Sequence, residues 1–357
     1  MKLNKMVAAI CLSSAVLTIP ANAKTPNDDQ NVKMTWFGIT NWYYEIGDLG
    51  ILMDGAVSRD FKKSEPELVE KVYKAMNKGA GVDMIFIGHE HGDHSADAVA
   101  WAKLTGAPIY TSKVACDAAI AKGVPKEQCN PVYGGEVIQA SKNTQVRVVR
   151  WSHSFDCDAT SEGGTKGIET FGFLFTTKTP NKTLSWFMTD SGAGGDELVT
   201  NRIVNGVDYG APLANLSDAV RDAGLSGFDL WQAGPESRVV NQARVIAPVF
   251  DVKYFMPQHY GSRGTLLPKK MGYDIEGGLH YAYDIDQSPK LKAFMADRKV
   301  DIIPSENFFD AYTYGAQGVT PIANDQTKIA LGLPAKGPGP RLQGENPRGD
   351  SLECQSD

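Results

Sequence analysis

The stretch His89-Glu90-His91-Gly92-Asp93-His94 follows directly on the apolar run Val82-Asp83-Met84-Ile85-Phe86-Ile87-Gly88. It places three imidazoles and two carboxylates within six residues. Neutral imidazole with carboxylate oxygen suits zinc or a similar borderline divalent metal. On extended chain, residues two apart face the same side, so His89 and His91 can share one cation. On a helix they would diverge. The helical HExxH pattern is also excluded, because Asp93 stands where its second His would be. Gly92 is expected to let the backbone turn, aiming Asp93 and His94 at a neighbouring position near the start of the next helix.

Working outward, residues 82–87 read as a buried strand. Upstream, strands are expected at 32–38, 42–46 and 51–53, with turns at Gly47-Asp48 and Asp54-Gly55. A helix is expected over 65–77, since Leu68, Val72, Tyr73 and Met76 share a face, Pro66 suits the first turn and Gly79 ends it. Downstream, helices are expected at 95–104 and 112–122, and strands at 146–151, 171–176 and 184–188. The same alternation returns later, with strands at 228–231 and 252–255 and helices at 215–222 and 237–246. Strands grouped at the start of each half, with helices after them, suggest two sheets packed face to face with helices outside. Four apolar strands end within a few residues of His89, His153, Asp190 and His259. Ligands at strand ends can converge on one rim of a sandwich.

The chain has 357 residues, 42% of them hydrophobic and 22% charged, which is globular composition and is long enough for a large core. Its 36 basic residues against 42 acidic ones disfavour a protein that grips a phosphate backbone, so no nucleic-acid partner is expected. Lys2 and Lys5, the apolar stretch 6–19 and Ala21-Asn22-Ala23 have the layout of a secretory signal peptide. Cleavage is expected after Ala23, giving a periplasmic or secreted protein without stable membrane insertion. Domain organisation then reads as signal 1–23, flexible arm 24–32, one domain over 33–320, and a Gly/Pro-rich tail over 321–357. In an oxidising compartment the remaining cysteines can pair. Cys116 and Cys129, 13 residues apart, are the expected bridge, with Cys157 and Cys354 as a second.

The motif at 89–94 resembles the HxHxDH signature of the metallo-β-lactamase superfamily. Three further matches carry the resemblance: His153 in Trp151-Ser152-His153-Ser154, Asp190 in Thr189-Asp190-Ser191-Gly192, and His259 in Gln258-His259-Tyr260-Gly261. It spans about residues 34–264 and implies an α/β fold, the four-layered αββα sandwich. By the family pattern His89, His91 and His153 would hold one Zn2+. Asp93, His94 and His259 would hold a second, and Asp190 would bridge them. Water polarised by both cations would attack the substrate, with Asp93 relaying a proton. Tyr260 would hydrogen-bond substrate or leaving group, Arg263 could attract an anionic group, and Asp54 could orient a ligand or simply close a turn.

A bridging Asp resembles lactonases, thioesterases and phosphodiesterases of the superfamily more than its β-lactamases. His91 stands where oxygen-reducing diiron relatives carry Glu. Thr35-Trp36-Phe37-Gly38 and Ile51-Leu52-Met53-Asp54-Gly55 look like the opening motif of the lactonase and phospholipase-like branch. Here, however, Ile39-Thr40-Asn41 stands where that branch usually has a His. The resulting expectation is an exported dinuclear zinc hydrolase of a small-molecule ester, a lactone above all. β-Lactamase and phosphodiesterase are the rival hydrolases, and a mononuclear iron oxidoreductase is the rival of another class. The aromatic run Trp36, Phe37, Trp42, Tyr43, Tyr44 is expected as core or as an apolar wall for an acyl chain.

Overall fold

Strand-forming runs bounded by Gly and Asp turns open the structure, a computed structural model that describes residues 31–58, 62–76, 80–153, 168–191, 193, 195–204, 206–233, 239–258, 279–280, 287–305, 307–333 and 340–341. In the first half, β1 (Asn31–Gly38), β2 (Asn41–Ile46) and β3 (Leu49–Met53) form an antiparallel meander. Helix α1 (Pro66–Met76) then leads to β4 (Met84–Phe86), parallel to β3. Next come α2 (Gly92–Ser95), α3 (Ala98–Thr105), β5 (Ile109–Thr111), α4 (Lys113–Ala121) and β6 (Cys129–Pro131), with β4, β5 and β6 parallel.

The second half repeats the plan. Strands β7 (Val137–Gln139), β8 (Thr144–Arg150), β9 (Phe171–Lys178) and β10 (Thr183–Thr189) are antiparallel. After α5 (Gly195–Val199), the hairpin β11 (Arg202–Val204) and β12 (Val207–Gly210), and α6 (Pro212–Asp222), the chain enters β13 (Leu230–Ala233). Helix α7 (Val239–Phe250) leads on to β14 (Tyr254–Pro257), and β10, β13 and β14 are parallel. A short strand β15 (Leu279–His280), helix α8 (Gln287–Asp297) and β16 (Asp301–Ile302) follow, and β16 extends the second sheet beside β14. The hairpin β17 (Ala311–Gly315) and β18 (Gly318–Ile322) then returns to the first sheet, where β17 lies antiparallel to β1. Helix α9 (Asp325–Leu331) and β19 (Pro340–Arg341), paired with β15, close the described chain.

The two large sheets have eight and seven strands, and face each other across an aromatic core. Tyr44 of β2 packs on Phe175 of β9 and Trp186 of β10, and Phe86 of β4 packs on Phe173 and Phe175. All of these rings are fully buried. Truncating any one to Ala is expected to cost about 3–5 kcal/mol, because close-packed aromatics cannot be replaced by collapse. Helices α1, α3 and α9 pack together on one side, and α5, α6, α7 and α8 on the other. The four-layered αββα expectation therefore holds.

Local signals explain most of the elements. In α1, Leu68, Val69, Val72, Ala75 and Met76 form the buried stripe. Helix α4 starts at Ser112, whose hydroxyl accepts a hydrogen bond from Ala115 N at 3.1 Å. The bridge between Cys116 and Cys129 is present and joins α4 to the edge strand β6, while Cys157 and Cys354 lie outside the described residues.

One expectation is corrected and two are sharpened. Beyond residue 321 the chain wraps back onto the domain: α9 packs against α1 and buries Leu331, and Leu333 is buried beyond it. Its short DQTKIAL run was hidden between stretches rich in Gly and Pro. The helix expected over 95–104 is two pieces, α2 and α3, and Gly92 is simply the first residue of α2, with no left-handed backbone. The aromatic run 36–44 is core, every one of its rings 2% exposed or less, so it offers no wall to an acyl chain. The signal-peptide reading falls on residues outside the described ones.

Candidate metal centre

The described candidate ligands follow the C-terminal ends of strands, where backbone leaves the sheet and side chains can converge. Strand β4 leads to His89, His91, Asp93 and His94, strand β8 to His153 and strand β10 to Asp190. His91 keeps an extended backbone (φ −60°, ψ 148°) as the residue before α2, so His89 and His91 reach outward together while Asp93 and His94 ride on the helix start. The start of the next helix, α3, is pinned from below. The Asp97 carboxylate accepts hydrogen bonds from Val57 N, Ser58 N and the Ser58 and Ser64 hydroxyls, at 2.5–2.8 Å.

The side chains meet in two groups. Ligand atoms of His89, His91 and His153 lie within 4.8 Å of one another, and so do those of His89, His94 and Asp190. The His89 ring centroid is 4.7 Å from that of His91, 4.6 Å from His153 and 4.3 Å from His94. Asp190 Oδ2 is 2.8 Å from His89 Nδ1 and 3.8 Å from His94 Nδ1, so this carboxylate lies between the two rings. Asp93 Oδ2 approaches His94 Nε2 at 3.4 Å, and its side chain is 24% exposed where Asp190 is fully buried. His259 and Tyr260 lie outside the described residues, as do Arg263 and Cys157.

Electrostatics supply the test of whether cations fit. Burial, and then the charge of Asp190, push the Asp54 carboxyl up to about 6, against the pull of His94 and Thr40. Burial opposes protonation of His94, but Asp93, Asp190 and Asp54 outweigh it and hold that imidazole well above its ordinary value. Two fully buried carboxylates among four crowded imidazoles are unfavourable unless positive charge joins them. Convergent nitrogen and oxygen donors of this kind fit divalent metal.

Several supporting residues carry little or no local signal. Asp54, which the sequence left equally readable as a turn residue, has φ +56° and receives His94 Nδ1 at 3.0 Å and Gly88 N at 3.3 Å. Thr40 joins the same cluster. Gly88 has no room for a side chain, since a Cβ would lie 2.2–2.3 Å from the Asp190 carboxylate. Gln258, adjacent to His259, donates from Nε2 to Thr189 O at 2.5 Å and accepts from Trp42 Nε1 at 2.7 Å. Arg202 reaches from β11 to donate to the Ser152 hydroxyl and to His153 O. Of these, Asp54 alone is singled out in the sequence; Thr40, Gln258 and Arg202 act across distant segments. A groove of about 500 Å³ between β8 and α6, edged by Arg147, Arg150 and Arg221, contains none of the candidate ligands.

The chain matches no family model. It is 28% identical over 130 residues to a UPF0173 metal-dependent hydrolase of Pyrobaculum calidifontis, covering 36% of this chain and 54% of that protein. It is 31% identical over 150 residues to a UPF0173 metal-dependent hydrolase of Anaeromyxobacter dehalogenans, covering 41% and 52%. The chain thus spans about half the length of the curated relatives it matches. Among solved structures it is similar to Igni18, a metallo hydrolase from Ignicoccus hospitalis, with 15% identity, TM-score 0.46 and coverage of 80% and 98%. It is also similar to the metallo-β-lactamase fold protein YhfI from Bacillus subtilis, with 12% identity, TM-score 0.46 and coverage of 80% and 99%.

Proposed function

We propose that this chain, which belongs to the metallo-β-lactamase superfamily, is an exported hydrolase that holds two zinc ions and opens a small ester, a lactone above all. The observation that carries the reading is the meeting of two donor groups that share His89, one made of three imidazoles and the other including the buried carboxylate of Asp190. His89, His91 and His153 would hold one ion. Asp93, His94 and His259 would hold the other, with Asp190 reaching both. When bound, such ions act as Lewis acids and lower the pKa of a coordinated water to near neutrality.

The remaining work falls to the chain's own groups. Asp190, wedged against Gly88 and fully buried, keeps its carboxylate fixed and dry. Asp93 is the partly exposed carboxylate of the set, placed to take a proton and return it to the leaving oxygen. Tyr260 would hydrogen-bond the substrate. A carboxylate between the two donor groups favours carbonyl attack on a reactive ester, and the acidic composition disfavours RNA or long polyanions as substrate. The Cys116–Cys129 bridge supports an oxidising compartment, hence export after Ala23 to the periplasm or medium. No helix among the described residues is long and apolar enough to cross a membrane, and no stable insertion is proposed.

The test is a substrate panel on protein of measured metal content. About two zinc ions per chain and a higher kcat/KM on a lactone than on a cephalosporin, a thioester or bis(p-nitrophenyl) phosphate are expected. Preference for the cephalosporin or the phosphodiester would replace the lactone. One iron per chain would replace hydrolysis with oxygen chemistry.

A further inference from the structure

The turn between β1 and β2 is two residues long, Ile39 and Thr40, and it is an unfavourable one. Ile39 has φ +50°, a left-handed backbone that a β-branched residue adopts only under constraint, and it follows Gly38 at φ +112°. Three hydrogen bonds impose the conformation. Trp36 Nε1 donates to Ile39 O at 2.9 Å, and Asn41 Nδ2 to Gly38 O at 3.0 Å. Asn41 Oδ1 accepts from Ala56 N at 2.6 Å, tying the turn to the segment just after Asp54. A hairpin that needed only to reverse direction would use Asn-Gly or Gly-rich chemistry instead.

What the turn delivers is the Thr40 side chain, fully buried at the metal end. Its hydroxyl donates to Asp54 Oδ2 at 2.6 Å and lies 2.7 Å from His94 Nδ1, while Nδ1 and Asp54 Oδ2 are 3.0 Å apart. A hydroxyl has one proton to give. With that proton on Asp54, the ring nitrogen must be the donor, and Nδ1–H points at two acceptors, Thr40 Oγ1 and Asp54 Oδ2. A single carboxylate contact fixes one point of an imidazole; two acceptors side by side also fix the plane of the ring. The opposite nitrogen, Nε2, is then left without a proton of its own in the neutral ring and faces Asp93.

We propose that Thr40 is a positioning residue for the second cation. Its hydroxyl, held by a strained turn between Asp54 and His94, sets the tautomer and plane of His94 so that Nε2 is presented as a ligand. The inference rests on the two-metal reading above. It assigns to this chain's Thr40 a task that outer hydrogen-bond partners of metal-binding histidines perform, where removal typically weakens metal affinity by about 10–100-fold.

The test titrates zinc against a chelator in wild type, T40V, T40S and H94A, with thermal melting of each protein. The binding step that H94A abolishes should weaken about 10–100-fold in T40V, the other step should move less than about twofold, and T40S should restore affinity to within about threefold. A folded T40V with both steps unchanged overturns the inference. So does T40S weakened as far as T40V, since any disturbance of the buried turn, and not loss of the hydroxyl in particular, would then weaken binding. If T40V fails to fold, T40A against T40S gives the same comparison, because only the hydroxyl separates them. Wild type that binds no zinc breaks the two-metal reading and takes this inference with it. Wild type that binds two ions, with T40V identical to it, breaks only the role of Thr40.

Discussion

The two halves of the molecule build the same plan and hold their ligands by different means. In the first half, His89, His91, Asp93 and His94 come from one continuous turn, and their supports, Asp54, Thr40 and Asp97, come from that half as well. In the second half, His153 and Asp190 arrive singly on separate strands; Arg202 of the same half donates to Ser152 and His153, while the first half braces Asp190. Gly88 leaves room for the Asp190 carboxylate and its carbonyl accepts Phe171 N at 2.9 Å, and Trp42 holds Gln258 beside Thr189. The first half is self-supporting, whereas the second depends on how well the sheets face each other. Damage to the sheet interface should therefore reach Asp190 before it reaches His94.

The hardest blow to this asymmetry is loss of the buried carboxylate that lies between His89 and His94. Asp190→Ala should lower activity by more than the roughly 100-fold expected when only an outer partner is removed, and should lose at least one metal by elemental analysis. Gly88→Ala should come next. Its Cβ must push the Asp190 carboxylate aside, so activity and one metal equivalent should fall, by about 10–100-fold in affinity, with near-normal far-UV circular dichroism. If G88A keeps full metal, Asp190 is less dependent on the first half than its packing suggests.

Acid and base behaviour sharpens the comparison from the first-half side. The folded pKa of Asp54 is raised from 3.8 to about 6, and that of His94 lies above 6.5. A raised folded pKa gives stability that is present below the unfolded value and lost as pH rises through the folded one. Metal-free protein should thus lose stability between about pH 4 and 6 through Asp54, and further above pH 6.5 through His94. Added zinc should reverse the loss, because it supplies the positive charge the protons provided. Melting curves across that range, with and without zinc, would show it. A metal-free melting temperature that climbs from pH 4 to 7 would contradict it.

The smallest effect is expected at the far edge of the first sheet. Cys116→Ser should remove about 3 kcal/mol of stability in the chain-entropy account of a short closed loop, while leaving metal content unchanged. A shift in metal content would mean that the edge strand β6 reaches the centre after all.

The same asymmetry explains what could be read in advance. The contiguous ligands of the first half were visible because their spacing is local chemistry: extended backbone pairs His89 with His91, and the helix start carries Asp93 and His94 away. The sandwich was visible because apolar runs alternate with amphipathic helices in both halves. Thr40 was not visible. Its role requires a backbone conformation that Ile39 would not choose alone, and a partner 54 residues away. Gln258 and Arg202 were hidden for the same reason, as groups that act across strands far apart in the chain. The C-terminal hairpin and α9 were missed because Gly and Pro around them mimic a loose tail. Their place is set by pairing with β1 and packing on α1 instead.

That pairing has a consequence for how the protein is made. Asn31 lies opposite Gly315, so β1 leaves the ribosome well before the strand that covers its outer edge. Contacts this far apart in sequence form slowly, since a long loop must close before they contribute. A growing chain is thereby kept from completing its first sheet until residues 311–315 have been made. A polypeptide ending before Ala311 should never leave that condition, and its bare β1 edge should make it aggregate where the longer chain stays in solution.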